Sequence, residues 1–142
     1  SYVMGRIGPL LDKLSEHEMK YVNENLYVTD RLDLSLNHRP DFLLAQRNII
    51  SRQPDLIIVD PCINFYTGDE NANAEVKEFL ISLGRLGGHF KPAVIAVHHT
   101  RKGVDPEEPF EAIRGASAFR GWTDTTMMLT KEKDKKRILK DA

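Results

Sequence analysis

The stretch that decides the fold is RQPDLIIVDPCINF, residues 52–65. Within it, four apolar residues, Leu56–Val59, run without alternation and end at an acid, Asp60, with a proline directly after it. A continuous apolar run of this length indicates a strand that is buried on both faces, as in a parallel sheet. Since such a strand has no polar face, the carboxylate at its end needs an explanation of its own.

The flanking sequence repeats this pattern. A second apolar run, AVIAVHH at 93–99, follows an amphipathic helix predicted over 74–86, and another helix is predicted over 40–52 with Pro40 in its first turn. The outer segments predict a helix over 2–14, with a kink or restart at Gly8-Pro9, and a second helix over 15–22 that begins with a capping box of Ser15 and Glu18. They also predict a strand at 25–30 (NLYVTD) and a closing strand pair at 123–132 and 136–141. Buried strands that alternate with helices predict a single α/β domain over 1–142, a three-layer αβα fold with a mostly parallel sheet.

Composition limits the class of protein. The chain has 142 residues, of which 41% are hydrophobic, and its net charge is −1, so no global basic surface marks a nucleic-acid binder. The one cysteine cannot form an internal disulfide, which favours a reducing cytoplasm. No apolar run approaches the ~20 residues that a membrane helix needs, and no signal peptide is recognisable, so we expect no membrane association. The chain opens at Ser1 in a helical pattern, and we expect the domain to start upstream of it.

Asp60 is the first candidate site residue. In open parallel sheets, ligands bind beyond the carboxyl ends of the strands. An acid at that place can hold Mg²⁺ in a nucleotide triphosphatase, directly or through a water molecule. The alternative is that Asp60 only caps the following turn, with Pro61 fixing the bend.

Two histidines end the second apolar run. Neighbouring residues of a strand point to opposite faces, so His98 and His99 are not expected to chelate one metal ion, which disfavours a metal hydrolase built on Asp60 and a histidine. We expect one imidazole to face the ligand and the other to pack under a helix. The first could sense a γ-phosphate and pass its presence to the next loop. The alternative is that both are ordinary core residues.

The segment 100–121 is charged and rich in Gly and Pro. Its bases, Arg101, Lys102, Arg114 and Arg120, lie at the two ends, and acids lie between them. Such bases suit contact with a phosphate backbone or an arginine that acts on a neighbouring subunit. An ordinary solvated loop is the alternative.

Three blocks carry a resemblance to a known family: LIIVDPCINFYTGDENANAEVKEFL, AVIAVHHTRKG and IRGASAFRGWTDTTMMLT. In order and spacing they resemble RecA-like ATPases of the RepA hexameric replicative helicase type, and more distantly the DnaB helicases, over about residues 25–141. The resemblance implies a RecA-like P-loop NTPase core with ATP and Mg²⁺ as cofactors. It also implies a homo-oligomeric, hexameric ring that hydrolyses ATP on single-stranded DNA during replication of plasmids, phages or mobile elements.

The resemblance also implies roles for single residues. Asp60 corresponds to the aspartate that positions Mg²⁺, and His99 to the γ-phosphate sensor, with Thr100 beside it at the nucleotide. Residues 66–73 and 101–116 are similar to the loops that contact single-stranded DNA in the ring. The basic residues expected at the nucleic acid are Arg101, Lys102, Arg114 and Arg120.

One departure from the family is large. The sequence contains no G-x-x-x-x-G-K-[ST] motif, and no Lys/Arg finger follows RILKD before the chain stops at Ala142. We therefore expect the later two-thirds of a RecA-like core, lacking its first strands and unable to hydrolyse ATP alone. The alternative is a short, non-hydrolysing DNA-binding or ring-forming module derived from this fold.

Overall fold

The two apolar runs form a parallel pair of strands. In the computed structural model, which describes residues 2–29, 33–69, 71–99, 116–131 and 137–141, β1 (Leu56–Val59) pairs with β2 (Ala93–Ala96) in parallel. Leu56 lies opposite Ala93 and Val59 opposite Ala96. The two predicted strands and their parallel direction are therefore confirmed, but β2 ends at Ala96, so residues 97–99 of the predicted second strand are not part of it.

Helices precede and connect these strands. Helix α3 (Arg39–Arg52) precedes β1, and a short 3₁₀ turn (Cys62–Phe65) and α4 (Asn73–Gly84) connect β1 to β2. Helix α5 (Ala116–Arg120) follows β2. Helix α3 begins with Pro40 in its first turn and ends where Gln53 takes a left-handed conformation with φ 48°. Pro54 then prevents the helix from continuing into β1.

The core lies beside the β1–turn–α4 segment. Its fully buried side chains are Cys62, Phe79, Leu80 and Leu83, and the ring of Tyr66 lies 5.3 Å from that of Phe79. The apolar positions of α4 recur at helical spacing, and this is why one face of α4 is buried. The predicted helix over 74–86 is confirmed.

The β1–β2 sheet is covered on one face. Val59 is 7% exposed, whereas Ile58 is 60% exposed and Ile95, its partner across the sheet, is 44% exposed. Exposed fractions alternate along both strands because successive side chains point to opposite faces. The prediction that both faces are buried is wrong for this sheet within the described residues.

The chain ends in an antiparallel pair. Strand β3 (Met127–Lys131) pairs with β4 (Arg137–Asp141), with Leu129 opposite Leu139. This is the predicted closing pair. With its small parallel sheet, the structure is a mixed α/β fold that is compatible with an αβα arrangement, and the full three layers stay a prediction.

The chain divides into two units, Ser1–Leu34 and Ser35–Ala142. The first contains α1 (Tyr2–Leu11), which runs through Pro9 without the predicted restart, and α2 (Glu16–Asn25). Ser15 caps α2 in a capping box: its Oγ accepts from the Glu18 N–H at 3.3 Å, and Glu18 Oε2 accepts from the Ser15 N–H at 2.8 Å. The predicted single domain stays a prediction.

The strand predicted at 25–30 is wrong over its described part. Asn25 is the last residue of α2, and residues 26–29 are neither helix nor strand. Leu26 is 46% and Val28 40% exposed, and no described strand pairs with them. Residues with a preference for strands need such a partner, since that preference reflects packing against neighbours more than the backbone itself.

Candidate functional site

Asp60 and the histidine pair lie at the same edge of the β1–β2 sheet. Because the strands are parallel, both carboxyl ends meet there. The ladder continues past the strands: the Val97 N–H donates to the Val59 carbonyl at 2.9 Å, and the Cys62 N–H donates to the Val97 carbonyl at 2.8 Å. Asp60 is thus held next to Val97, two residues before His99.

Asp60 and His99 are both exposed just beyond the two strands. Asp60 directly follows Val59, the last residue of β1, and His99 lies three residues after Ala96, the last residue of β2. Because the carboxyl ends of parallel strands meet at one edge of a sheet, a carboxylate and an imidazole are presented near the same edge, the rim of the sheet.

His98 has a different environment. Its ring lies 4.9 Å from that of Phe119 in α5, at an interplanar angle of 47°, and Phe119 is buried. His98 itself is half-buried, whereas His99 is exposed. The expectation that one imidazole packs against a helix agrees with the His98–Phe119 contact, whereas the expectation that the other faces a ligand stays a prediction.

Cys62 lies directly behind Asp60. The cysteine is fully buried, and burial raises the pKa of its thiol to about 12, with the Asp60 carboxylate adding to the rise. The thiol is therefore neutral at physiological pH and behaves as a small apolar group. Sequence reasoning used Cys62 only to infer the redox compartment and missed its place under the rim; its position two residues after Asp60 was the available signal.

The loop after the 3₁₀ turn is fixed at its base. The Thr67 N–H donates to Asn37 Oδ1 at 3.0 Å, and Asn37 Nδ2 donates to the Thr67 carbonyl at 3.1 Å. The buried Tyr66 hydroxyl donates to Glu75 Oε2 at 3.2 Å. Asn37 was missed by sequence reasoning, because a contact across 30 residues leaves no local pattern.

The basic candidates are only partly described. Arg120 ends α5 and is exposed. Thr100, Arg101, Lys102 and Arg114 lie outside the described residues.

Within the described ranges, no group of three or more His, Cys, Asp or Glu side chains lies close enough to hold a metal ion. A Mg²⁺ ion needs no such group, because it commonly binds one or two carboxylates together with substrate phosphates. Across the same residues, no helix has the length and apolar character to span a membrane.

The comparisons with known proteins identify a family. The AAA domain family matches residues 9–105, about two-thirds of the chain, and this range contains both Asp60 and His99. No curated protein and no solved structure matches the chain significantly. The family is one of ATPases, which bind nucleotides and usually Mg²⁺, and the small parallel sheet suits its P-loop NTPase-like fold. The chain therefore belongs to the AAA domain family of ATPases.

Proposed function

We propose that this domain is part of a RecA-like, ATP-driven DNA motor of the RepA hexameric replicative helicase type. The observation that carries the proposal is the shared position of Asp60 and His99, both exposed beyond one edge of a parallel strand pair, in a chain of the AAA domain family. Such an edge is where open parallel sheets bind their ligands.

Asp60 is the proposed Mg²⁺ ligand. Its carboxylate is exposed. Backbone hydrogen bonds of Val97 and Cys62 fix the main chain on both sides of Asp60, so the position of this residue at the edge of the sheet is defined before a ligand binds. When bound, Mg²⁺ neutralises charge on the β- and γ-phosphates. One carboxylate and phosphate oxygens suit its preferred coordination.

His99 is the proposed γ-phosphate sensor, with Thr100 beside it. A ring N–H of His99 can donate to an oxygen of a phosphate bound at the sheet edge that Asp60 shares. The His99 side chain is exposed, so its ring nitrogens are accessible to a ligand. The His98 ring packs on Phe119, so in this proposal His98 has a packing role and His99 contacts the ligand.

Single-stranded DNA is the proposed nucleic acid, bound within a homo-oligomeric ring. Arg101, Lys102, Arg114 and Arg120 supply the positive charge. The described part of the loop after β1 carries an acid, Asp69, and no base, so we assign the phosphate-backbone contacts to these four residues.

The phosphate half of the nucleotide site is not encoded in these 142 residues, because they lack G-x-x-x-x-G-K-[ST]. Backbone donors of that loop dominate triphosphate affinity. We therefore expect the 142-residue chain alone to bind MgATP too weakly for isothermal titration calorimetry to detect. Micromolar binding would contradict this division of the site.

The function itself is tested in a protein that carries this domain together with a phosphate-binding loop. Asp60→Asn should lower ATP hydrolysis on the order of 100-fold, because a group that organises transition-state charge is lost. The matched control is Asp55→Asn, an exposed acid at the opposite end of β1, which should keep the wild-type rate.

The same design applies to the second strand. His99→Ala should slow hydrolysis, whereas His89→Ala, an exposed histidine before β2, should not. Wild-type hydrolysis by either Asp60→Asn or His99→Ala would refute the assignment of that residue.

A second candidate function is a non-hydrolysing DNA-binding or ring-forming module. The observation that favours it is the absence of the glycine-rich motif from the sequence. In that case the 142-residue chain should bind oligo-dT and associate in light scattering, both independently of MgATP. Asp60→Asn should then have no effect on either property.

A further inference from the structure

The contact between His98 and Phe119 joins two candidate site residues. His98 is bonded to His99, the proposed γ-phosphate sensor, and Phe119 is bonded to Arg120, a proposed DNA contact. The two rings are in contact, with their centroids 4.9 Å apart, so a single non-covalent contact connects the His98–His99 segment to the Phe119–Arg120 segment. Apart from the chain itself, this ring pair is a direct link between the strand end and α5.

Phe119 is held firmly in place. It is 7% exposed, and its carbonyl accepts from the Thr123 hydroxyl at 3.0 Å and from the Trp122 N–H at 3.0 Å. The Trp122 indole lies against Gly84 of α4, where an added Cβ would be 3.4 Å from Nε1. Phe119 is therefore part of the packing between α5, the turn that follows it and α4.

We propose that the His98–Phe119 ring pair transmits nucleotide occupancy at His99 to Arg120, so that His98 is a positioning residue for coupling nucleotide to DNA. This inference rests on the proposed function. A shift of His99 toward a phosphate rotates the peptide that it shares with His98, and the packed His98 ring pushes on Phe119. Close-packed interiors transmit such displacements because they have little free volume.

The test measures coupling rather than activity. In a protein that carries this domain and a phosphate-binding loop, the Kd for fluorescent oligo-dT is measured with and without Mg²⁺ and a non-hydrolysable ATP analogue. The ratio of the two Kd values is the coupling factor, which for coupled sites is typically about 5- to 150-fold. A general loss of folded protein does not change this ratio, since both values come from the same preparation.

Four variants address the ring pair, and circular dichroism confirms that each is folded. His98→Leu and Phe119→Leu each remove one ring and should bring the coupling factor close to one, and the double variant should be no worse than either single one. His98→Phe keeps a ring of similar position and should retain most of the coupling. The matched control is His17→Leu, which breaks another histidine–aromatic pair, His17–Tyr21 at 5.5 Å, and should keep the wild-type ratio.

The possible outcomes distinguish a failure of the proposed function from a failure of the coupling proposed for the ring pair. A wild-type protein that binds neither the analogue nor oligo-dT would refute the proposed function. If the wild type binds both but His98→Leu and Phe119→Leu keep its coupling factor, the inference alone is refuted. A folded His98→Phe variant without coupling would also overturn it, because ring packing would then be insufficient.

Discussion

The buried thiol of Cys62 predicts a loss of stability in alkaline solution. The thiol has a pKa of about 12 in the folded protein, against an ordinary value of 9.0, since burial and then the Asp60 charge disfavour the thiolate. The folded state therefore holds this proton more tightly than the unfolded state does. The resulting stability is fully present below pH 9.0 and is lost as the pH rises toward 12.

The magnitude follows from the difference between the two pKa values. Each pH unit between them lowers the free energy of unfolding by ~1.4 kcal/mol, which amounts to about 4 kcal/mol over the whole interval. A typical domain has only about 5–15 kcal/mol of stability, so Cys62 alone should remove a large fraction of it. The thiol is fully buried, so solvent does not screen the effect.

The assay is urea unfolding, followed by circular dichroism at a series of pH values, for the wild type and for Cys62→Ala. Lysines and tyrosines titrate in both proteins, so the difference between the two slopes isolates the cysteine. The variant should be less stable near neutral pH, because a small cavity replaces the sulfur, but its alkaline slope should be shallower. Parallel pH dependences in the two proteins would refute the reasoning.

The same measurement tests the position of Asp60. Asp60→Asn removes the negative charge that helps to raise the thiol pKa, so the alkaline loss should become smaller than in the wild type. Asp55→Asn, at the other end of β1, is the control and should behave as the wild type. An unchanged loss in Asp60→Asn would place the carboxylate farther from Cys62 than the structure does.

The remaining predictions concern the packing around the site and the first unit. Phe79→Ala should lower the free energy of unfolding by about 3–5 kcal/mol, since Phe79 is 2% exposed and contacts Tyr66; a loss under ~1 kcal/mol in urea titration would contradict the core. Ser15→Ala should reduce the helix signal in circular dichroism, because the cap of α2 is worth about 1 kcal/mol. Hydrogen bonds from Ser15 lower the pKa of Glu18 from its ordinary value of 4.5. The stability that the ionised Glu18 contributes to the folded protein is therefore present above pH 4.5 and is lost as the pH falls through the lowered pKa. If acid unfolding of the wild type matched that of Ser15→Ala, this prediction would be refuted. Asn37→Ala should speed amide hydrogen exchange at Thr67, and unchanged exchange there would show that the two bonds do not hold the loop.

Much of the fold could be predicted because its signals are local. The apolar run of β1 and the capping box of α2 lie within a few consecutive residues, and both are present where expected. Asp60 could be placed at the end of β1 for the same reason, since a strand and the residue that follows it are read together, whereas β2 ends three residues before His99. The prediction failed at 25–30, where a preference for strands was local but the required partner was not.

The sequence by itself determined which residues end the two parallel strands, and so which side chains are offered at the rim. Only the tertiary structure decided that Cys62 is buried behind Asp60, that His98 packs on Phe119, and that Asn37 holds Thr67. The physical reason is that helix and strand periodicity record how neighbouring residues face, whereas burial and contacts between distant residues depend on how the elements pack together.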